Sequence, residues 1–386
     1  MIHDRRDFIR STAAAGGAWA LGLGPSPLPA AGPAPSHPGA ARRRMDILIL
    51  GGTSFLGPHQ VACALGRGHS VSIFTRGRTR PTIHRRLFDD VEHLVGDRAD
   101  NLTALEGRRW DAVIDNSGQR VSWTRDSAGL LADSAELYLY VSSTGVYYPY
   151  LDEDIGEDHE LVRAVPSGIT DTQKVEYDYG VMKADSEEEA RRAFGEDRTV
   201  VVRPTYMMGP ADRTDRFGYW PVRLERGGEV LVPGKGHDPV QYVDVRDVAG
   251  FMIRLLEDHN AGTFNAAGPA SATGMHEFVH AAHAAFSAPV EWVMVPDYDF
   301  LRANGVLDAI PWIMPVGDNF GSARVSIEHG VANGLTFRPL ADSCRDIVDW
   351  WYSGAVPEER RQALLHGERS LMAREPGIVS AWRARG

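Results

Sequence analysis

Tyr179 and Lys183 stand four residues apart in Tyr179-Gly180-Val181-Met182-Lys183, a spacing that a helix places on one face. A phenol ionises near pH ~10 and is by itself a poor proton carrier at neutral pH. An ammonium beside it stabilises the phenolate and makes it a working acid–base group. The 386-residue chain has twelve tyrosines and only three lysines, Lys174, Lys183 and Lys235, among 41 basic residues. Chance placement (3 × 12/386) therefore yields only about 0.1 such pairs. Upstream, Leu139-Tyr140-Val141-Ser142-Ser143-Thr144-Gly145 ends an apolar run in hydroxyls, with Ser143 placed to hold a substrate oxygen. The chemistry implied is proton transfer at a hydroxyl or carbonyl: Ser143 orients, Tyr179 is acid and base, and Lys183 tunes the tyrosine.

Such a set needs a rigid frame, and the residues before it supply one. Asp46-Ile47-Leu48-Ile49-Leu50 reads as a buried parallel strand. Gly51-Gly52-Thr53-Ser54-Phe55-Leu56-Gly57 follows, then a helical stretch from His59 to Leu65 and a second strand, Val71 to Thr75. Strand, glycine turn, helix and strand form the context in which a turn cradles a pyrophosphate. Its contacts are expected from Gly51, Thr53, Ser54, Phe55, Leu56 and Gly57. The second strand ends at Thr75, without the acid that holds a ribose 2′-hydroxyl, and Arg76 and Arg78 follow. Two guanidinium groups suit a 2′-phosphate, which favours NADP over NAD as the cofactor. Further strands run into Asp97-Arg98, into Ser117-Gly118 and into Ser143, as in a doubly wound α/β sheet that opens its crevice at the strands' carboxyl ends.

With these motifs, the chain from about Met45 to Tyr352 resembles the extended short-chain dehydrogenases/reductases of the NAD-dependent epimerase/dehydratase group. Val201-Val202-Arg203-Pro204, the segment Gln241 to Ala249, Phe264 to Gly268 and Gly334 to Leu340 agree with it. The resemblance implies a Rossmann domain over 45–205, with Pro204 and Thr205 also at the dinucleotide. It implies a smaller substrate-binding α/β part over 206–356, interleaved with the last Rossmann elements. A charged helical extension at 357–386 is expected to be peripheral. The implied partner is a small-molecule substrate; helix-paired homodimers occur in the family.

The chain departs from the family in places. Ser54 stands at the fingerprint's middle glycine, Thr144-Gly145 replaces the Asp-Glu pair of sugar dehydratases, and Pro204-Thr205-Tyr206 replaces an aromatic-asparagine pair. Dehydration and a nucleotide-sugar substrate are therefore disfavoured. Tyr206, Arg216, His237 and Arg324 are the substrate candidates, with Arg213, Tyr219 and Trp220 as further ones. The acidic stretch from Asp152 to Glu160 reads as a solvated loop rather than a metal site.

Residues 1–44 begin with Arg5-Arg6, continue through a weakly apolar run to about Gly24, and end in Pro/Ala/Gly-rich sequence. That order fits a twin-arginine signal peptide, which makes the Tat translocon a partner and the periplasm or exterior the destination. The apolar run is too short for a comfortable membrane span. A net charge of −11 argues against nucleic acid. Two cysteines, Cys63 and Cys344, exclude a disulfide framework, and neither has the neighbours of a zinc site. Two enzymatic readings stay open, an NAD(P)-dependent oxidoreductase and an epimerase that recycles its cofactor. A non-catalytic nucleotide binder is the third.

Overall fold

The computed structural model describes residues 43–116 and 119–385. Most of the segment expected to be an export signal, residues 1–42, lies outside the described residues, as do Ser117, Gly118 and Gly386. The chain opens with β1 (Asp46–Leu50), α1 (Leu56–Gly66), β2 (Ser70–Thr75), β3 (Glu92–Val95), β4 (Trp110–Asp115), α2 (Val121–Leu131) and β5 (Ala135–Val141). The helix α3 (Asp171–Phe194) and β6 (Thr199–Pro204) follow. Next come β7 (Met207–Met208), α4 (Tyr219–Arg226), β8 (Gly228–Pro233), β9 (Val243–Asp244), α5 (Val245–Glu257) and β10 (Gly262–Ala266). The remainder is α6 (Met275–His283), β11 (Val290–Val295), α7 (Tyr298–Ala303), the short pair β12 (Asp308–Ala309) and β13 (Trp312–Ile313), α8 (Glu328–Ala332), α9 (Leu340–Tyr352), α10 (Glu358–His366) and α11 (Leu371–Arg383).

The main sheet is parallel throughout, in the order β10-β6-β5-β4-β1-β2-β3. The strand order reverses between β1 and β4, and a ligand crevice opens at such a switch point. Ile47 to Leu50 are all buried, as their unbroken apolar run requires of a strand covered on both faces. One face packs α1 and α5, with Phe251, Met252 and Leu255 against Ile47, Ile49 and Val202. The opposite face packs α2 and α3 around Tyr138, Tyr140 and Phe194.

The catalytic helix is longer than Met182–Phe194, the stretch in which strong helix formers dominate. It starts at Asp171, where Thr170 and Gln173 form a reciprocal capping box. Conversely, Gln241 to Ala249 contributes only two strand residues, because the Asp244 carboxylate accepts the Arg246 amide and starts α5 at once.

The segment 357–386 is not peripheral. Met372, Ile378 and Val379 are buried in the substrate part's core with Trp220, Phe278 and Trp351. Glu375 is paired with Arg223, and its Oε1 accepts the Leu231 amide at 2.8 Å. A buried carboxylate in an otherwise charged helix is hard to read from periodicity, which is why the segment resembles a surface extension. The acidic loop is also stapled rather than merely solvated: Glu157 Oε1 accepts the Asn265 amide at 2.7 Å, and Ile155 is buried.

Candidate active site

The turn between β1 and α1 is built for close approach. Gly51 and Gly52 have φ of 101° and 99°, where a side chain is strained. A Cβ on Gly57 would lie 2.3 Å from the Gly52 Cα, so backbone fills the space that a side chain would take. Pro58 sits in the first turn of α1, where no helical donor is needed, and no side chain caps that end. The first-turn amides, the partial positive charge and the absence of acids suit a phosphate group. The residues thus fit a dinucleotide pyrophosphate. Thr53 Oγ1 lies 2.9 Å from Thr79 Oγ1, tying the glycine turn to the arginine-rich loop. Arg76 and Arg78, after Thr75, are exposed.

Two residues expected at the cofactor, Arg98 and Asp97, also hold the protein's own chain. The Arg98 guanidinium is held by Asp115 at 2.8 and 3.0 Å, by the Trp123 carbonyl and by Ser127, inside a network that includes the Tyr138 hydroxyl. It neutralises a buried carboxylate. Asp97 accepts the Ala99 amide at 3.0 Å and closes a turn with Asn101. Ser117 and Gly118 lie outside the described residues. Pro204 ends β6 and Thr205 follows it, its amide donating to the Ala266 carbonyl at 3.3 Å.

Ser143, Tyr179 and Lys183 converge at the carboxyl end of β5. Two glycines make this possible. A Cβ on Gly145 would lie 2.9 Å from Tyr179 Cε1, and one on Gly180 would lie 2.6 Å from the Gly145 carbonyl oxygen. Gly145, which stands where dehydratases carry an acid, lets the Ser143 turn close onto the tyrosine ring. Ser143 Oγ accepts the Gly145 amide at 3.0 Å and shares a hydrogen bond with Tyr179.

The electrostatics differ from the sequence expectation. Burial of the ionisable end pushes the Tyr179 pKa up, although the side chain is 40% exposed; the Ser143 hydrogen bond and then the charge of Arg216 oppose that rise. Lys183 is buried, and its Nζ donates to the Val141 carbonyl at 2.8 Å, 5.9 Å from the Tyr179 ring centre. Burial brings its pKa down to about 8 against the opposing charges of Asp115 and Glu187. The charge of Arg216, from the 206–386 region, opposes the rise at Tyr179, and Lys183, anchored to the strand, lies against the ring.

A second buried set, which sequence reasoning missed, fixes this floor. Glu187 lies four residues beyond Lys183 on α3; it accepts the Ser142 hydroxyl at 2.5 Å and a bidentate pair from Arg203 at 2.9 and 2.7 Å. Arg203 also donates to the Tyr147 hydroxyl, which donates to Asn265. The Lys183–Glu187 spacing was the available signal. Gln60 and Asn116 exchange amide hydrogen bonds of 2.7 and 3.0 Å beside the glycine turn, and these too were missed.

Of the substrate candidates, Tyr206 and Arg216 reach the site: the Arg216 guanidinium carbon lies 5.2 Å from the Tyr206 ring centre, and the charge of Arg216 is felt at Tyr179. His237 and Arg324 do not. They line a separate cavity of about 820 Å³ with Gln241 and Thr273, which no residue of the glycine turn or of the Ser–Tyr–Lys set lines. Trp220 is core, its Nε1 donating to the Ala309 carbonyl, and Tyr219 is buried beside Glu375. Arg213 is exposed. Among the described residues no group of three or more His, Cys, Asp or Glu is placed to hold a metal, and no helix is long and apolar enough to cross a membrane.

A parallel seven-stranded sheet with a glycine cradle at β1 and a Ser–Tyr–Lys set at β5 is the frame of an extended short-chain dehydrogenase/reductase. The family model described as NAD dependent epimerase/dehydratase family matches residues 47–267, and the chain belongs to that family. The epimerase family protein SDR39U1 of Bos taurus is 28% identical over 259 residues, covering 64% of this chain and 82% of that protein. The chloroplast stem-loop binding protein of 41 kDa b of Arabidopsis thaliana is 27% identical, over 59% of this chain and 60% of its own length. Among solved structures, the Bordetella bronchiseptica enzyme WbmH in complex with NAD+ superposes with a TM-score of 0.58 at 15% identity, covering 81% of this chain and 100% of that one. That likeness shows the fold.

Proposed function

We propose that the protein is an NAD(P)-dependent oxidoreductase that interconverts a hydroxyl and a carbonyl on a small polar substrate. The observation that carries this reading is the joint placement of Ser143, Tyr179 and Lys183 at the carboxyl edge of the sheet, beside a glycine turn fitted to a pyrophosphate. Gly51, Thr53 and the first turn of α1 would hold the diphosphate, with Arg76 and Arg78 favouring a 2′-phosphate and hence NADP. When bound, the dinucleotide supplies the hydride donor or acceptor.

The chain's own residues do the rest. Ser143 Oγ orients the substrate oxygen. In the reductive direction Tyr179 Oη gives that oxygen a proton, and in the oxidative direction it removes one. Arg216 stabilises the phenolate left behind, and Lys183, anchored on Val141, sits under the ring as a second cation. An epimerase uses the same groups twice, once in each direction on opposite faces of the substrate, and the family name supports that second reading. The stem-loop binding named for the Arabidopsis protein finds no support in a net charge of −11.

Tyr179→Phe tests the mechanism. We expect turnover with NADPH or NADH and a responsive carbonyl to fall about 10²- to 10⁴-fold, with dinucleotide affinity unchanged. Turnover equal to wild type would remove Tyr179 from the chemistry.

A further inference from the structure

The loop carrying Arg216 is tied to the C-terminal helices. Arg360, on α10, pairs through two nitrogens with Asp215 and also donates to the Asp212 carbonyl; its guanidinium carbon lies 5.5 Å from the Trp350 ring centre. Asp215 has a φ of 58°, a conformation that non-glycine residues rarely hold without such an anchor. Between this loop and α10–α11 lies a cavity of about 420 Å³; like the larger one, it is lined by no residue of the glycine turn or of the Ser–Tyr–Lys set. Arg216 and Arg369 stand at its wall with Ile310, Leu364 and Leu371. Cations beside aliphatic walls, in a volume within the range of small-molecule sites, describe an amphipathic subsite.

Arg216 touches both environments. Its guanidinium packs on Tyr206 at 5.2 Å on the catalytic side and lines the cavity on the other. Many arginines of the 206–386 region are engaged with carboxylates (Arg223, Arg246, Arg302, Arg338, Arg360); among the described residues, Arg216 and Arg369 are the arginines lining the cavity that make no ion pair. An unpaired guanidinium is suited to a planar two-oxygen anion. The cavity wall sets Arg216, Arg360 and Arg369 against Asp215 and Asp308, a single net positive charge, which suits a singly charged carboxylate better than a dianionic phosphate.

We propose that the cavity walled by the C-terminal helices is a subsite for an amphipathic carboxylic acid, bordering the catalytic crevice through Arg216: its carboxylate on Arg216, its aliphatic body against Leu364 and Leu371. The inference goes beyond the oxidoreductase reading, and the subsite can be measured on its own.

The experiment is calorimetric titration of the full chain, with and without saturating NADPH, using butyrate, hexanoate, octanoate and octanamide. Octanoate is expected to bind at least tenfold more tightly than octanamide, with affinity rising up to about fourfold per added methylene. Arg216→Gln should abolish the preference for the acid. Leu364→Trp, which fills the cavity, should weaken octanoate while sparing butyrate. Equal affinity for acid and amide, no binding of any acid, or an unaltered preference in Arg216→Gln would overturn the proposal. Tyr179→Phe should bind octanoate as wild type does; the NADPH titration in the same samples reports separately on the oxidoreductase reading, so either can fail alone.

Discussion

At the scale of single residues, the site depends on small groups as much as on charged ones. Gly145 and Gly180 bring the Ser143 turn into contact with the Tyr179 ring, and a methyl group at either position would collide with it or with backbone. His59 shows how a neighbouring residue can set pH behaviour. It is buried in α1, with Nε2 3.0 Å from the Pro210 carbonyl, and burial drives its pKa down to about 4. The unfolded chain takes up that proton near pH ~6.5, so stability is full above that value and declines as pH falls toward the folded pKa. Denaturant unfolding should show a loss of about 2 kcal/mol between pH 7 and 5, from one residue. Much of that loss should vanish in His59→Gln; an unchanged profile in the variant would exclude His59 as its source. Ser143, Tyr179 and Lys183 were legible because residue type and spacing carry their chemistry. The pairing of Arg98 was not legible because its partner, Asp115, lies seventeen positions away on β4, with two strands between it and β3. Arg216 was a substrate candidate from the sequence, but its place over the Tyr206 ring was not legible, since only the tertiary fold brings the two together.

At the scale of elements, the Rossmann half follows its sequence pattern closely. Buried parallel strands read as apolar runs and their turns as glycine or small polar clusters, so β1, β2, β4, β5 and β6 appear within a residue or two of their expected ends. The substrate part was less legible, because its strands are short and its helices alternate with irregular chain. The C-terminal helices are the largest departure. The buried pair of Glu375 and Arg223 locks α11 against α4 and β8. Removing one partner of such a pair leaves an uncompensated charge, so Glu375→Ala should cost about 3 kcal/mol of unfolding free energy. Loss of less than about 0.5 kcal/mol, the usual range for a surface change, would show that α11 is peripheral after all.

At the scale of the whole molecule, the sheet supplies the dinucleotide cradle and catalytic floor, while the 206–386 region supplies Arg216 and the walls around it. Residues 1–44 we propose to be a twin-arginine export signal, which would carry the enzyme out folded and loaded with cofactor. A reporter fused to these residues should leave the cytoplasm, and Arg5→Lys with Arg6→Lys should retain it; export by the double variant would point to another route. The central claim, however, is that the crevice at the β1–β4 switch point holds a nicotinamide dinucleotide. The most direct measurement is titration of the purified, nucleotide-stripped chain with NADPH and NADH, in wild type and in Arg76→Ala/Arg78→Ala. The account predicts saturable binding of both, tighter for NADPH, with the double variant losing on the order of tenfold in NADPH affinity, about 1.4 kcal/mol, and little for NADH. Binding of neither nucleotide would contradict it and leave a Rossmann frame without its cofactor.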